Sequence, residues 1–305
     1  MRWRHRSTID KDAIMKFLKK LALGTALAVS MGTAQSQEVL NNWVFNPNGG
    51  GYEAGLDVRE YLDVNGNAFI VLNPADEGPS FTFREYAVFN LVQADSKGVL
   101  FPVAYEGGNI SAIFEGYGTG TLGGEFTFSG GTIRMFQNPI DGQYGTNAGI
   151  YGADQGNLIA TFNVLRGGGE VDEFGNPIAN GEVSVFAEAS AGDLEDGYFF
   201  RSNGDDLSQE DILAFAFTNA NAIGQPDDTL VDEVACQFAN FGGPGCDESA
   251  DEYENQPGQY FFIGGSGQFK LDEAEGEVPE PGSLALFGIA MLGAGLAARK
   301  RSGKA

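Results

Sequence analysis

From residue 80 to residue 271, apolar residues come in short runs that alternate with polar ones, and Gly, Asn, Asp or Pro clusters bound each run. A period of two places alternate side chains on opposite faces of an extended backbone, so these runs are strands and not helices. Phe81-Thr82-Phe83-Arg84-Glu85-Tyr86-Ala87-Val88-Phe89 is the clearest of them. Similar runs fall at 110–117, 125–128, 132–136, 158–165, 182–187, 197–201 and 259–271. Many short strands at such spacing predict a mainly β body, an antiparallel β-sandwich or barrel-like fold. Hairpin turns are expected at Gly123-Gly124, Gly130-Gly131 and Asn180-Gly181. Gly116-Tyr117-Gly118-Thr119-Gly120-Thr121 looks like a phosphate-binding loop only at first sight. It lacks the lysine and the following helix such a loop needs, so a strand edge or turn is expected there.

Helix signals are few. Ser208-Gln209-Glu210-Asp211 precedes Ile212-Leu213-Ala214-Phe215, and Thr229-Leu230-Val231-Asp232 precedes residues 233–238. Both have the form of a capping box and predict short helices. They outline an irregular insertion between about 205 and 250 that carries both cysteines, Cys236 and Cys246. An even pair in an exported body reads as a disulfide, and closing that loop is worth about 2–3 kcal/mol. Two thiolates without histidine make a poor zinc site.

Both ends carry addresses. Lys16, Lys19 and Lys20 precede the apolar run 21–29, and Gly32, Ala34 and Ser36 follow. That is a secretory signal peptide with its natural start at Met15, cleaved after Ala34 or Ser36. At the other end Pro279-Glu280-Pro281 precedes 16 uncharged residues, 283–298, then Arg299, Lys300 and Arg301. The stretch is just under the usual minimum of about 17 residues for a spanning helix. The basic stop places the C-terminus in the cytoplasm and the body outside. Pro279 and Pro281 keep the preceding segment extended and open to a processing enzyme. The chain therefore divides into an extension plus signal peptide at 1–36, a mainly β extracellular domain at 37–271, an acidic linker at 272–277 and a tail at 278–305 with a transmembrane sorting helix.

The tail resembles the sorting signal of the PEP-CTERM proteins. The resemblance implies processing by an exosortase-type enzyme, a transient inner-membrane anchor, and association with exopolysaccharide at the cell surface or in the extracellular matrix. Gly116-Tyr117-Gly118-Thr119-Gly120-Thr121-Leu122 followed by Phe126-Thr127-Phe128-Ser129-Gly130-Gly131-Thr132 is similar to flocculation-associated members of that group. This implies a role in floc or biofilm formation and carries no catalytic residue over.

Between the addresses lie 7 basic and 39 acidic residues, a net charge of −32 for the mature body. Such a surface repels nucleic acid, whose phosphates need Lys and Arg. It also repels acidic polysaccharide unless divalent cations intervene. The one histidine, His5, lies in the leader. The mature body therefore lacks the residue behind Ser-His-Asp triads, most general bases and most transition-metal sites.

Calcium is the cofactor the composition suits. Asp63, Asn65 and Asn67, with Gly66 between the asparagines, place oxygen ligands at alternate positions around a turn residue. Asp172-Glu173-Phe174-Gly175-Asn176 and Asn203-Gly204-Asp205-Asp206 have a similar form, which also suits a polar hairpin turn. Adjacent carboxylates at Asp205-Asp206, Asp227-Asp228 and Asp247-Glu248 are expected to diverge rather than flank a sugar. Trp43, Tyr52, Tyr105, Tyr144, Tyr151 and Tyr253 lie near Gly- or Asn-rich segments and are the candidate sugar platforms. The expectation is an exported, non-enzymatic matrix protein, the alternative a carbohydrate-binding or carbohydrate-active module.

Overall fold

The computed structural model describes residues 40–273 apart from 41, 97–98, 103, 106–107, 140–143, 179–180 and 247–252. The signal peptide, the sorting motif and the sorting helix lie outside the described residues. In chain order the strands are β1 (Trp43–Phe45), β2 (Leu56–Val58), β3 (Tyr61–Pro74), β4 (Ser80–Ser96), β5 (Val99–Pro102), β6 (Ala104–Tyr105) and β7 (Gly108–Thr121). They continue as β8 (Glu125–Pro139), β9 (Asn157–Glu170), β10 (Glu182–Ala189), β11 (Phe199–Phe200), β12 (Ile212–Ala222) and β13 (Tyr260–Glu273). Eight of them pair in the order β3-β4-β7-β8-β9-β10-β12-β13, and β13 pairs back onto β3. Every pairing is antiparallel, so the sheet closes as an up-and-down barrel, which leaves no open edge in the wall. Of the two architectures expected, the barrel is the one formed.

What the inner face holds explains why the sheet can close so tightly. Gly116, Gly118 and Gly120 point inward from β7 at alternate positions, and the rings of Phe81, Phe83, Phe114, Phe126 and Phe128 fill the room they leave. A methyl group at Gly118 would sit 1.9 Å from the Thr127 carbonyl oxygen and 2.7 Å from the Phe83 ring. Phe83 meets Phe126 and Phe128 edge-on at 5.5 and 5.2 Å, a favoured aromatic geometry. Alternating small and large residues in this way fills the lumen of a small barrel. The glycine-rich stretch is therefore part of a wall strand paired on both sides, where a strand edge or turn was expected, and not a phosphate loop. Gly130 and Gly131 do not turn the chain as expected; they lie within β8, where the register against β7 shifts at a bulge. The runs at 125–128 and 132–136 thus join into one strand. The turn expected at Gly123-Gly124 does connect β7 to β8.

The small sheet β11-β1-β2 plugs one end, its Trp43, Phe45, Val58 and Phe199 merging with the apolar interior. Val171, Gly175 and Pro177, from the connection between β9 and β10, face the interior at the other end.

One expected helix is a strand. Residues 207–209 form a single 3-10 turn capped by the Asp206 carboxylate, and β12 then runs from Ile212 to Ala222. Ile212, Ala214 and Ala220 alternate on its buried face, so the period-two pattern and its neighbours β10 and β13 override a capping signal. The second helix forms, as an α-turn (Asp228–Leu230) continuing in the wider π form over Val231–Phe238. Its cap is Asp227, two residues before the expected Thr229. Cys236 and Cys246 are joined as a disulfide, with Cα atoms 5.4 Å apart, which ties the helix to the Gly-rich loop. The insertion accordingly spans the link from β12 to β13, not the whole of 205–250.

This insertion and the 144–155 loop lie against the outside of β3, β4, β7 and β13. Leu230, Val234, Ala235, Tyr151 and Tyr253 pack there with Phe69, Val88, Ile113 and Phe262 in a second apolar cluster. Buried polar pins hold both segments. Ser111 Oγ donates to the Ala153 carbonyl at 2.7 Å, and Asn138 donates to Ser111 at 2.8 Å. Asn255 accepts from the Phe262 amide at 2.9 Å and donates to the Ile223 carbonyl. Asp272, placed in the linker by the sequence, is buried within β13. Among the described residues no helix is long and apolar enough to cross a membrane.

Candidate functional site

Two regions concentrate chemistry. The first is on the outer surface, at the rim of the barrel where β8, β9 and β10 run side by side. Glu125, Glu170 and Glu182 project outward there, with Glu125 directly opposite Glu170 across the strand pair. Thr127 and Ser184 supply hydroxyls, and the backbone of Gly167, Gly168 and Gly169 forms the floor of a hollow of about 420 Å³. Facing carboxylates cost stability unless a cation or water shields them. A second hollow, of about 940 Å³, shares Glu125 and Thr127 and continues across Thr82, Ser80, Asn73, Thr119 and Thr121. Together they make a hydroxyl-lined strip with carboxylates at one end. Tyr117, two residues before Thr119 on the outer face of β7, is 49% exposed and lies over Gly130. Among the described residues no three acidic, histidine or cysteine side chains converge closely enough to hold one metal ion.

The second region is the lumen. Glu85 sits on the inward phase of β4, in register with Gly116 on one side and Ile70 on the other. Only 8% of it is exposed, and burial pushes its carboxyl up to about 7. It lines an internal cavity of about 60 Å³ and a smaller one of about 20 Å³ beside the β9–β10 connection.

The predicted site residues fall elsewhere. Asp63, Asn65 and Asn67 lie within β3, not around a turn. Alternate strand residues are spaced by about 6.6–6.8 Å, so the three side chains extend along the barrel wall instead of converging. Asn67 is engaged by Tyr144, donating to its hydroxyl at 2.9 Å. Asp172 does turn the chain, but its carboxylate accepts from the amides of Phe174 and Asn176 at 2.8 and 2.9 Å. Partial burial pushes Asp172 up; hydrogen bonds from the Asn176 side-chain amide and from those backbone amides outweigh it and hold the group below its ordinary value. Asp205 likewise closes its own turn through Asn203.

The adjacent carboxylates diverge as expected where they are described. Asp206 caps the turn at Leu207, and Asp227 caps the helix while accepting from the Tyr151 hydroxyl at 3.1 Å. Asp247 and Glu248 lie outside the described residues. The structure does bring together a pair the sequence hides, Asp196 and Asp206. A hydrogen bond from one carboxyl to the other raises Asp196.

Of the aromatic candidates, Trp43, Tyr151 and Tyr253 are buried. Tyr52 donates to the Ser202 carbonyl, and Tyr144 is pinned between Asn67 and Val88. The side chain of Tyr105 lies outside the described set. The outward-facing aromatics include Tyr117, Phe174 and the Phe186–Phe215 pair, whose rings are 4.8 Å apart with Arg166 over Phe186 at 4.5 Å.

These features define a plugged, eight-stranded up-and-down barrel with an acidic, hydroxyl-lined strip on its outer wall. Residues 277–301 match the PEP-CTERM protein-sorting motif, so the chain carries that signal. Pro279, Glu280 and Pro281 fall within the match, as do Arg299, Lys300 and Arg301. The signal implies an exosortase-processed surface protein, exported and transiently anchored at the membrane. No curated protein and no solved structure matches the chain.

Proposed function

We propose that the protein is a non-enzymatic component of an extracellular matrix, associated with exopolysaccharide and active in floc or biofilm formation. The sorting signal at 277–301 supports this reading, because it implies a body exposed at the cell surface, where a polymer could meet it. The barrel is a rigid, strongly acidic body. Glu125, Glu170 and Glu182 mark where divalent cations would gather between it and an anionic polymer. The bridging is diffuse: calcium condenses between the two negative surfaces and the row of hydroxyls contacts the chain.

Binding of the protein to exopolysaccharide from its host, measured with calcium and after chelation, tests this. Calcium-dependent retention is expected, weakened at least severalfold by replacing Glu125, Glu170 and Glu182 together with Gln. Retention unchanged by both chelation and the triple replacement would overturn the bridging. The exposed Tyr117 beside the threonine rows favours a second reading, a carbohydrate-binding module that stacks sugar on the ring. In that case Tyr117→Ala abolishes binding whether or not calcium is present.

A further inference from the structure

We propose that the barrel lumen is a binding site for a small organic ammonium ion, with Glu85 as its counter-charge. The inner wall around Glu85 consists of Val64, Phe89, Ala112, Phe114, Met135 and similar apolar groups, with Thr218 the one other polar side chain lining the larger cavity. Along both cavities Glu85 is the only ionisable residue, and among the described residues no donor reaches it. A carboxyl held in such surroundings without a partner costs stability, and a leucine at the same position would not. Its place also has room made for it. The two cavities meet the carboxyl from either side.

The chemistry of the occupant follows from size and polarity. At about 60 Å³ the larger cavity is under half the volume of an engineered cavity of roughly 150 Å³ that accepts benzene. In proportion to the six non-hydrogen atoms of benzene, that limits a guest to about two or three and rules out a sugar ring, a lipid or a peptide. A bare metal ion is unsuited, because calcium takes six to eight oxygen ligands and the lumen offers one carboxylate. An alkylammonium matches on both counts: its chain occupies the apolar walls, and its N–H groups give charge-assisted hydrogen bonds to the carboxylate in a low-dielectric interior. The site is independent of the matrix role and stands or falls without it.

The test uses ethylammonium chloride as the probe and the whole purified protein. At pH 8, millimolar ethylammonium is expected to raise the melting temperature by several degrees in a saturable way, with ethanol and sodium chloride giving no comparable shift. Glu85→Gln and Glu85→Leu should each remove the response. Carbon-13 NMR of the Glu85 carboxyl needs no variant: its titration midpoint should fall by at least one pH unit when ethylammonium is present, a tenfold or greater preference for the ionised form. A midpoint unmoved by the probe, or equal melting shifts in wild type and both variants, would overturn the proposal, as would a carboxyl that responds only to water and salt.

Discussion

At Glu85 the alternation of β4 is kept while its chemistry is broken. Phe81, Phe83, Ala87 and Phe89 share its phase, so the backbone must turn this carboxyl into the lumen with them. The mismatch is visible in the sequence as one acidic residue in the apolar phase of a strand, although the phase becomes a lumen only once the sheet closes. Its effect on stability has a definite sign. The carboxyl titrates near its ordinary value, 4.5, in the unfolded chain and near 7 in the fold. Below pH 4.5 both states hold the proton and nothing is lost. Between 4.5 and 7 the unfolded state releases its proton first, so the fold is progressively destabilised, and above 7 the whole loss is present. The span corresponds to about 3 kcal/mol. Urea unfolding of wild type and Glu85→Gln should therefore diverge in favour of the variant by about that amount between pH 4.5 and pH 8. Parallel pH profiles would mean that the carboxyl is not held in the interior.

Among the elements, β12 and the helix of Asp228–Phe238 show when a local signal is obeyed. Both begin with a capping box in the sequence, and only one becomes helix. Ile212 to Ala222 lies between β10 and β13, whose edges would be left unpaired if that segment coiled, and a closed barrel cannot leave such edges. The segment that does become helix lies outside the wall and is free to follow its own preference, with its apolar face on Val88 and Phe262. The disulfide belongs to that outer layer. Replacing Cys236 and Cys246 together with Ser should destabilise the insertion by about 2–3 kcal/mol. Amide hydrogen exchange should accelerate across 223–246 and stay nearly unchanged in β8, β9 and β10. Uniform acceleration throughout the barrel would show instead that the insertion and the wall unfold as one unit.

For the molecule as a whole, the address and the body are separable problems. Intact-mass measurement on the protein released by its host should give a product that lacks residues before 35–37 and ends close to Pro281, with the basic stop gone. A released product that still carries Arg299, Lys300 and Arg301 would contradict processing at the motif. The sorting motif was legible without any structure because the processing machinery reads a linear segment, so its whole meaning is local. Strand identity at β4, β7, β9, β10 and β13, and the cysteine pairing, were legible for the same reason: side-chain alternation and ten-residue loop closure are properties of neighbours in the chain. The Asp63, Asn65 and Asn67 spacing misled because period-two oxygens describe a calcium loop and a strand face equally well, and pairing with β4 and β13 chose the strand. Which carboxylates become neighbours is a matter of register. Glu125 and Glu170 are far apart along the chain yet directly opposite across β8 and β9, and Glu85 is enclosed because β13 returns to β3. Those relations come from long-range hydrogen bonding between segments, which no stretch of residues encodes alone.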